Sequence, residues 1–336
     1  MSKPQKKNIT LQDIAEATNI SASTVSRALT NHPKINQKTK EKVWKVAKKL
    51  GYFPNLPVYM QKQKNNIVVF LVDDLSNLET HLFILAAQES LLKKGFQPLI
   101  KFVPNSLPND KFLDLIKDID VVGMINLLDE KKTIADFKVP IVSINKSDTG
   151  FSQVHVLRDI YNGAYLCANH LLHQGAKKLI LIVGDSESSI YNDMEEGFKA
   201  AFTVNSESSF EILRSDLNKE ILKQVFENII KEKISFDGIV TCNNYVACQL
   251  HAFLQTKNIA IPDSLMLISF GNEPFINLIS PGISSIEFSS ENMGRIAADQ
   301  LEEIINNEHV EHKFLIEPAK LIIRASSLKT FHDRLK

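Results

Sequence analysis

Near the amino terminus, a short stretch combines several hydroxyl-bearing residues with one arginine. Ser21, Ser23, Thr24 and Ser26 each carry a hydroxyl group, and Arg27 carries a planar guanidinium rich in N–H donors. Groups of these types recognise another molecule through hydrogen bonds. If the stretch is helical, it therefore suits contact with a partner.

The residues around this stretch predict two short helices joined by a tight turn over residues 9–31. Thr10 can cap the first helix, and Asp13 can reach back to the free backbone amides at its start. Apolar residues then recur at helical spacing, and they are Leu11, Ile14 and Ala15 in the first helix and Val25 and Leu29 in the second. Helices this short are unstable alone. We therefore expect them to pack on a scaffold that presents their outer face to a partner.

A third helix is expected to complete that scaffold. It should begin at Asn36, a plausible N-cap, run through Leu50 and end at Gly51. Val43, Ala47 and Leu50 recur at the spacing of one inner face. The first two helices then form a helix-turn-helix, whose second helix enters the major groove of DNA. The alternative is a small surface hairpin of two helices with a serine-rich outer face.

Formal charge is distributed unevenly along a chain whose net charge is zero. Residues 1–66 carry 13 Lys and Arg against 3 Asp and Glu, a net of +10. The remaining residues carry 26 against 36, a net of −10. A basic head on an acidic body is typical of a protein that binds a polyanion. Lysine-rich helices also occur as solvated surfaces, and part of this charge lies on the third helix.

Length and composition exclude several classes of protein. The 336 residues suffice for two or three compact units, and no apolar run reaches the length of a membrane span or of a signal-peptide core. Cys167, Cys242 and Cys248 are odd in number and not spaced as metal ligands. Glycine-rich phosphate loops and nucleophile elbows are absent from the sequence. We therefore expect a cytoplasmic protein that is not an enzyme and needs no metal or cofactor.

From residue 67 the chain alternates apolar strands with amphipathic helices. In the first half, strands are predicted at 67–72, 96–102, 121–126 and 140–144, with helices near 80–94 and 110–117. In the second half, helices are predicted at 162–174, 190–202, 219–231 and 245–257, with strands at 179–183, 210–213, 238–242 and 265–270. This order indicates parallel sheets covered on both faces, and two such halves form a ligand cleft at the carboxyl ends of their strands.

Two segments of the head resemble the DNA-binding region of the lactose repressor/galactose repressor family. They are Thr-Leu-Gln-Asp-Ile-Ala at 10–15 and Ser-Ala-Ser-Thr-Val-Ser-Arg-Ala-Leu at 21–29. Residues 41–55 continue the match, and residues 321–327 resemble the closing strand of the family. The resemblance implies an all-α helix-turn-helix head and an α/β periplasmic-binding-protein-like body of two doubly wound parallel-sheet subdomains.

The same resemblance implies a division of the chain and a function. The head would span 1–53, a hinge 54–66 and the body 67–336, with subdomains of roughly 67–160 plus 289–318 and 161–288 plus 319–330. A homodimer would bind a near-palindromic double-stranded DNA operator and repress a metabolic operon, under possible control by a small molecule in the cleft. The alternative is a regulator without a ligand, or one controlled by a protein partner, whose body serves mainly for dimerisation.

The resemblance also assigns roles to residues of the head. Ala22, Ser23 and Arg27 hold the base-reading positions, and an arginine bidentate to guanine contributes about 1–3 kcal/mol of discrimination. The residues in phosphate-contacting positions are Ser21, Thr24, Ser26 and Thr39.

The hinge departs from the family pattern. Val58, Tyr59 and Gln61 stand where the family has a small residue, an arginine and a leucine that wedges into the minor groove. Glutamine is a poor wedge, because unstacking two bases is offset by burial of apolar surface. Met60 could substitute if the hinge helix rotates.

The ligand cleft departs further. Met194 replaces a usual arginine, Asn244 lies where an aspartate is common, and Gly271 followed by Asn272 replaces another aspartate. The candidate cleft residues are Asp74, Asn77, Asp159, Met194, Asn244 and Asn272. Asp159 could equally cap a helix. Because most sugar-binding groups are missing, the effector is expected to be no typical sugar, or to be absent.

Overall fold

The computed structural model describes residues 10–29, 32–50, 66–75, 77–104, 107, 119–128, 139–144, 152, 154–186, 188–203, 207–231, 236–306 and 312–329. The chain divides into two compact units, Met1–Asn66 and Ile67–Lys336. The predicted helix near 110–117, Gly51 and the hinge candidates Val58, Tyr59, Met60 and Gln61 lie outside the described residues.

The head contains the three expected helices, α1 Leu11–Thr18, α2 Ala22–Leu29 and α3 Gln37–Leu50. The predicted capping box is confirmed: the Thr10 amide donates to Asp13 Oδ2 at 2.6 Å, and the Asp13 amide donates to Thr10 Oγ1 at 3.4 Å. Asn36 caps α3, since its Oδ1 accepts from the Thr39 amide at 2.8 Å. Short-range hydrogen bonds therefore define both helix starts.

One small core joins the three helices. Its fully or nearly fully buried members are Ile14, Val25, Ala28, Leu29, Val43 and Ala47. Leu50, expected on the same inner face as Val43 and Ala47, is instead 36% exposed, because it lies at the last turn of α3, beyond the core. Lys42 ties α3 to α1 by donating from Nζ to the Thr18 carbonyl at 3.0 Å.

The body contains two six-stranded sheets. The first has the order β11-β5-β4-β3-β1-β2 and is parallel throughout. Its strands are β1 Ile67–Val72, β2 Gln97–Phe102, β3 Val121–Asn126, β4 Ile141–Ser143, β5 Val154–Arg158 and β11 Lys313–Glu317. Helix α4, Leu78–Lys93, follows β1 and packs with α9, Ser290–Asn306. β5 and β11, neither of which was among the predicted strands, extend this sheet beyond β4.

The second sheet has the order β12-β10-β9-β8-β6-β7, with β12 antiparallel to β10 and the other pairs parallel. Its strands are β6 Lys178–Gly184, β7 Ser209–Ser215, β8 Gly238–Thr241, β9 Met266–Phe270, β10 Ser284–Glu287 and β12 Lys320–Ile322. Its helices are α5 Ile160–His173, α6 Ser189–Ala200, α7 Lys219–Lys231 and α8 Asn244–Thr256. The expected closing strand is shorter than 321–327, since a 3-10 helix, Ala325–Ser327, follows it.

The chain passes between the two sheets after β5, after β10 and after β11. An α/β body of two parallel-dominated sheets is thereby confirmed, whereas the finer subdomain boundaries stay predictions. Among the described residues, no helix combines the length and apolar character needed to span a membrane.

Candidate DNA interface and ligand cavity

Helix α2 has an inner face that packs on the head and an outer face that carries the polar residues. Val25, Ala28 and Leu29 are buried, which sets the rotation of the helix about its axis. Ser23 and Arg27 are exposed on the opposite side. Burial of the apolar residues thus presents a hydroxyl and a guanidinium to solvent, as their spacing predicts.

Ser21 is also exposed, but the other residues assigned to this face are less so. Ala22, Thr24, Ser26 and Thr39 are half-buried, although Ala22 and Ser26 were expected outside. Ser21 caps α2, because its Oγ accepts from the Thr24 amide at 3.3 Å. Its hydroxyl also lies 2.8 Å from Thr24 Oγ1. The start of α2 is therefore a network of hydroxyl groups.

The body encloses a cavity of about 670 Å³ at the carboxyl ends of its strands. Four of the six candidate cleft residues line it, and they are Asp74, Asn77, Met194 and Asn244. This volume lies within the usual range for small-molecule sites. Loop and helix-start residues from both sheets contribute to the lining, as expected for a cleft between two doubly wound units.

The structure places Asp159 and Asn272 outside the cavity lining. Asp159 caps α5, since its Oδ1 accepts from the Asn162 amide at 3.2 Å. Asn272 accepts from Arg324 Nη2 at 2.6 Å and donates to Glu287 Oε1 at 2.7 Å. Both side chains thus have structural partners. For Asp159, the partner is the one expected if it caps a helix rather than faces the cleft.

Several charged and aromatic lining residues escaped the sequence analysis. Glu79 and Arg158 form an ion pair at 3.2 Å, and Glu273 lies on the opposite sheet's side of the cavity. Tyr191 and Tyr245 add aromatic surface. A charged residue at the end of a strand, or in the first turn of the helix after it, is the signal that could have revealed the first three. For Arg158 this signal required β5 to be predicted.

The asparagines at the start of α8 are already engaged. Asn243 Oδ1 accepts from the Val246 amide at 2.9 Å and so caps the helix. Asn244 Nδ2 donates to Glu273, and its Oδ1 accepts from Ser269 Oγ at 2.8 Å. The Asn244 amide is thus engaged through both of its polar atoms, and the Asn243 amide through its oxygen.

Gly271 makes this packing possible. Its φ is +91°, a left-handed conformation that favours glycine. A Cβ at this position would lie 2.8 Å from Asn244 Nδ2 and 3.5 Å from Glu79 Oε1. The missing side chain therefore leaves room for groups from both sheets.

Two cysteines lie in or near this region. Burial raises the pKa of the Cys242 thiol, which lines the cavity, to about 12. Burial also raises the pKa of Cys248, and the negative charge of Glu273 adds to the effect. Both thiols are therefore protonated at neutral pH, which argues against a nucleophilic role.

Two family profiles match separate parts of the chain. Residues 10–55 match the bacterial regulatory proteins of the lacI family, and residues 168–327 match a periplasmic binding protein-like domain. The first match covers all three helices of the head. The second covers most of the second sheet and one wall of the cavity.

Similar proteins match nearly the whole chain. The ribose operon repressor of Lactococcus lactis subsp. lactis (strain IL1403) is 25% identical over 321 residues, which cover 94% of this chain and 97% of that protein. The HTH-type transcriptional regulator DegA of Bacillus subtilis (strain 168) is 23% identical over 331 residues, covering 95% and 98%.

A solved structure of the lac repressor dimer, bound to operator and the anti-inducer ONPF, has a similar fold. Its TM-score is 0.76 at 18% identity, and the alignment covers 96% of this chain and 100% of that one. Head and body thus match the same kind of protein in sequence and in fold. The chain thus carries a domain of the lacI family of bacterial regulatory proteins over residues 10–55 and a periplasmic binding protein-like domain over residues 168–327.

Proposed function

We propose that this protein is a transcriptional repressor that binds a near-palindromic double-stranded DNA operator as a homodimer. The observation that carries the proposal is the outer face of α2, where Ser23 and Arg27 are exposed above a buried apolar side. The family match over residues 10–55 coincides with this head. We also propose that it regulates a metabolic operon in the cytoplasm and is not an enzyme.

Within the head, the proposed roles are those that the family resemblance implies. Ala22, Ser23 and Arg27 read bases in the major groove, with Arg27 as the bidentate donor. The residues proposed to contact phosphates are Ser21, Thr24, Ser26 and Thr39. Exposed lysines of α3, among them Lys38 and Lys45, add the positive potential that attracts the DNA backbone.

An apolar surface on the body supports the homodimer. Leu85 and Leu92, one heptad apart on α4, are 56% and 59% exposed. Ile100 and Phe102, 40% and 48% exposed, lie two residues apart and so on one face of β2, the edge strand that follows this helix. Large apolar side chains exposed on a surface are typical of protein interfaces. A second copy of the chain would cover them and set the spacing of two heads.

The dimer has a direct test. Sedimentation equilibrium should give twice the mass of one chain for the wild type and a lower average mass for Leu85→Lys with Leu92→Lys. Leu278→Lys, at an 83% exposed position away from α4 and β2, is the matched control. A wild-type monomer, or the same loss in the control, would contradict the assignment.

We further propose that the cavity holds a small-molecule effector. A ligand shifts the protein between conformers only if it binds one of them better, and lining groups from both sheets provide such a difference. The alternative is a regulator without a ligand, or with a protein partner. Mass spectrometry of purified protein, together with thermal shifts across metabolite pools, separates the two.

Operator binding itself is tested with the purified full-length protein. Genomic fragments are titrated at low ionic strength, and bound fragments are footprinted. The expected result is a protected site with two related half-sites, whose affinity falls steeply with added salt. Absence of any complex with genomic DNA would overturn the proposal.

A further inference from the structure

We infer that the cavity binds a small organic cation, a hydroxylated compound whose protonated amine contacts Glu273. This inference rests on the proposed effector function and specifies its ligand. It distinguishes the ligand from a neutral sugar and from an anionic metabolite.

The first argument is the charge of the lining. The described residues that line the cavity include three carboxylates, those of Asp74, Glu79 and Glu273, and one guanidinium, that of Arg158. Arg158 and Glu79 pair at 3.2 Å, and their side chains are only 27% and 18% exposed. The guanidinium charge is thus balanced within the protein. Carboxylates outnumber guanidinium groups among the described lining residues, and this excess repels an anion and attracts a cation.

The second argument is the balance of hydrogen-bond donors and acceptors. A sugar hydroxyl both donates and accepts, and side-chain amides normally match it. Here the amide of Asn243 caps a helix, and that of Asn244 bonds to Glu273 and Ser269. The half-buried carboxylate of Glu273 keeps further lone pairs for a ligand. The Glu273 carboxylate therefore suits a donor-rich group of a ligand.

The third argument is the geometry around Gly271. The position that a Cβ would occupy there lies 3.5 Å from Glu79 Oε1, which belongs to the first sheet's side of the cavity. Glu273 approaches from the second sheet through its contact with Asn244. Carboxylates from both sides thus converge on one corner. A cation placed there would be attracted mainly to Glu273, since the charge of Glu79 is paired with that of Arg158.

Aromatic side chains complete the site. Tyr245, which is 48% exposed, lines the cavity together with Tyr191. The faces of such rings attract cations and also pack against the carbon skeleton of a ring-shaped ligand. A carboxylate beside aromatic rings is a suitable environment for an ammonium group.

The test compares three probes of one size and different charge, namely glucosamine, glucose and glucuronate. Thermal shift and calorimetry are run on the full-length protein at millimolar probe concentrations. Glucosamine should raise the Tm and bind at least tenfold more tightly than the other two. Its affinity should fall as the pH rises through the pKa of its own amine. Equal or tighter binding of glucose or glucuronate, or no binding of glucosamine, would overturn the inference.

Variants locate the site. Glu273→Gln should lower glucosamine affinity at least tenfold, whereas Glu211→Gln, an exposed residue of β7 outside the cavity lining, should leave it unchanged. Undiminished glucosamine binding by Glu273→Gln would refute the role of Glu273. If that variant does not fold, the comparison of the three probes on the wild-type protein decides whether the cavity prefers a cation. If the wild-type protein binds operator DNA but no amine, the inference of a cationic ligand is refuted and the proposed function stands. Protein that binds the amine but no DNA refutes the proposed function.

Discussion

Gly197 in α6 lies directly against the backbone carbonyl of Tyr161 in α5. A Cβ on Gly197 would be 1.9 Å from that carbonyl oxygen. The two helices pack closely here because glycine has no side chain, and Phe198 and Met194 beside it are buried in the core of the second sheet.

Gly197→Ala is therefore expected to destabilise the body by about 3 kcal/mol or more, since the obstructing atom belongs to the backbone and cannot rotate away. Gly163→Ala is the matched control in α5, because its Cβ would meet side-chain carbons of Phe270 and Ile286 at 3.2–3.3 Å. The loss of unfolding free energy in Gly163→Ala should be smaller than in Gly197→Ala. Urea unfolding midpoints compare the two, and equal losses would contradict the explanation.

Arg27→Ala should relax base preference at one position of each half-site, because an exposed guanidinium that reads guanine contributes about 1–3 kcal/mol of discrimination. Lys38→Ala on α3 should instead weaken binding to all sequences evenly and reduce its salt dependence. Binding to a set of single-base operator variants at several salt concentrations measures both effects. Uniform weakening by both substitutions would refute the assigned roles.

Thr10→Ala should destabilise the head by about 1 kcal/mol, since it removes the side-chain oxygen that caps α1. Thr10→Ser keeps that oxygen and serves as the control. Trp44 in α3 is the single tryptophan of the chain, so its fluorescence follows unfolding of the head. An unchanged midpoint of urea unfolding in Thr10→Ala would show that the capping box does not stabilise the head in solution.

The body should lose stability as the pH falls below about 6.5, the usual pKa of histidine. Burial lowers the pKa of His170, with a hydrogen bond to the Ser327 carbonyl partly opposing it, and burial also lowers the pKa of His251. Both side chains therefore bind protons less readily in the folded state than in the unfolded state. Acid therefore favours unfolding, and above that pH the contribution is constant.

The measurement is the urea midpoint of the body across this pH range. The double variant His170→Gln with His251→Gln should show a weaker decline on acidification than the wild type. His81→Gln, at an exposed position on α4, is the control. An identical decline in the double variant would assign the acid sensitivity to other groups.

Local signals in the sequence were sufficient to predict the three helices of the head. Its capping signals act over three residues, as in Thr10 with Asp13 and Asn36 with Thr39, and its apolar spacing follows one helical face at a time. Such signals are local, so they can be read without the tertiary structure. The apolar strands β1, β3 and β6 were identified for the same reason.

Only the tertiary structure decided the membership of the two sheets and the chemistry of the cavity. Parallel pairing joins Arg158 in β5 to Glu317 in β11, across a separation that no local pattern encodes. Glu79, Arg158 and Glu273 follow or end three different strands and meet because those strands end at one cavity. Long-range strand pairing sets these distances, and for that reason the sequence identified Asp74 and Asn244 but missed the charged groups between them.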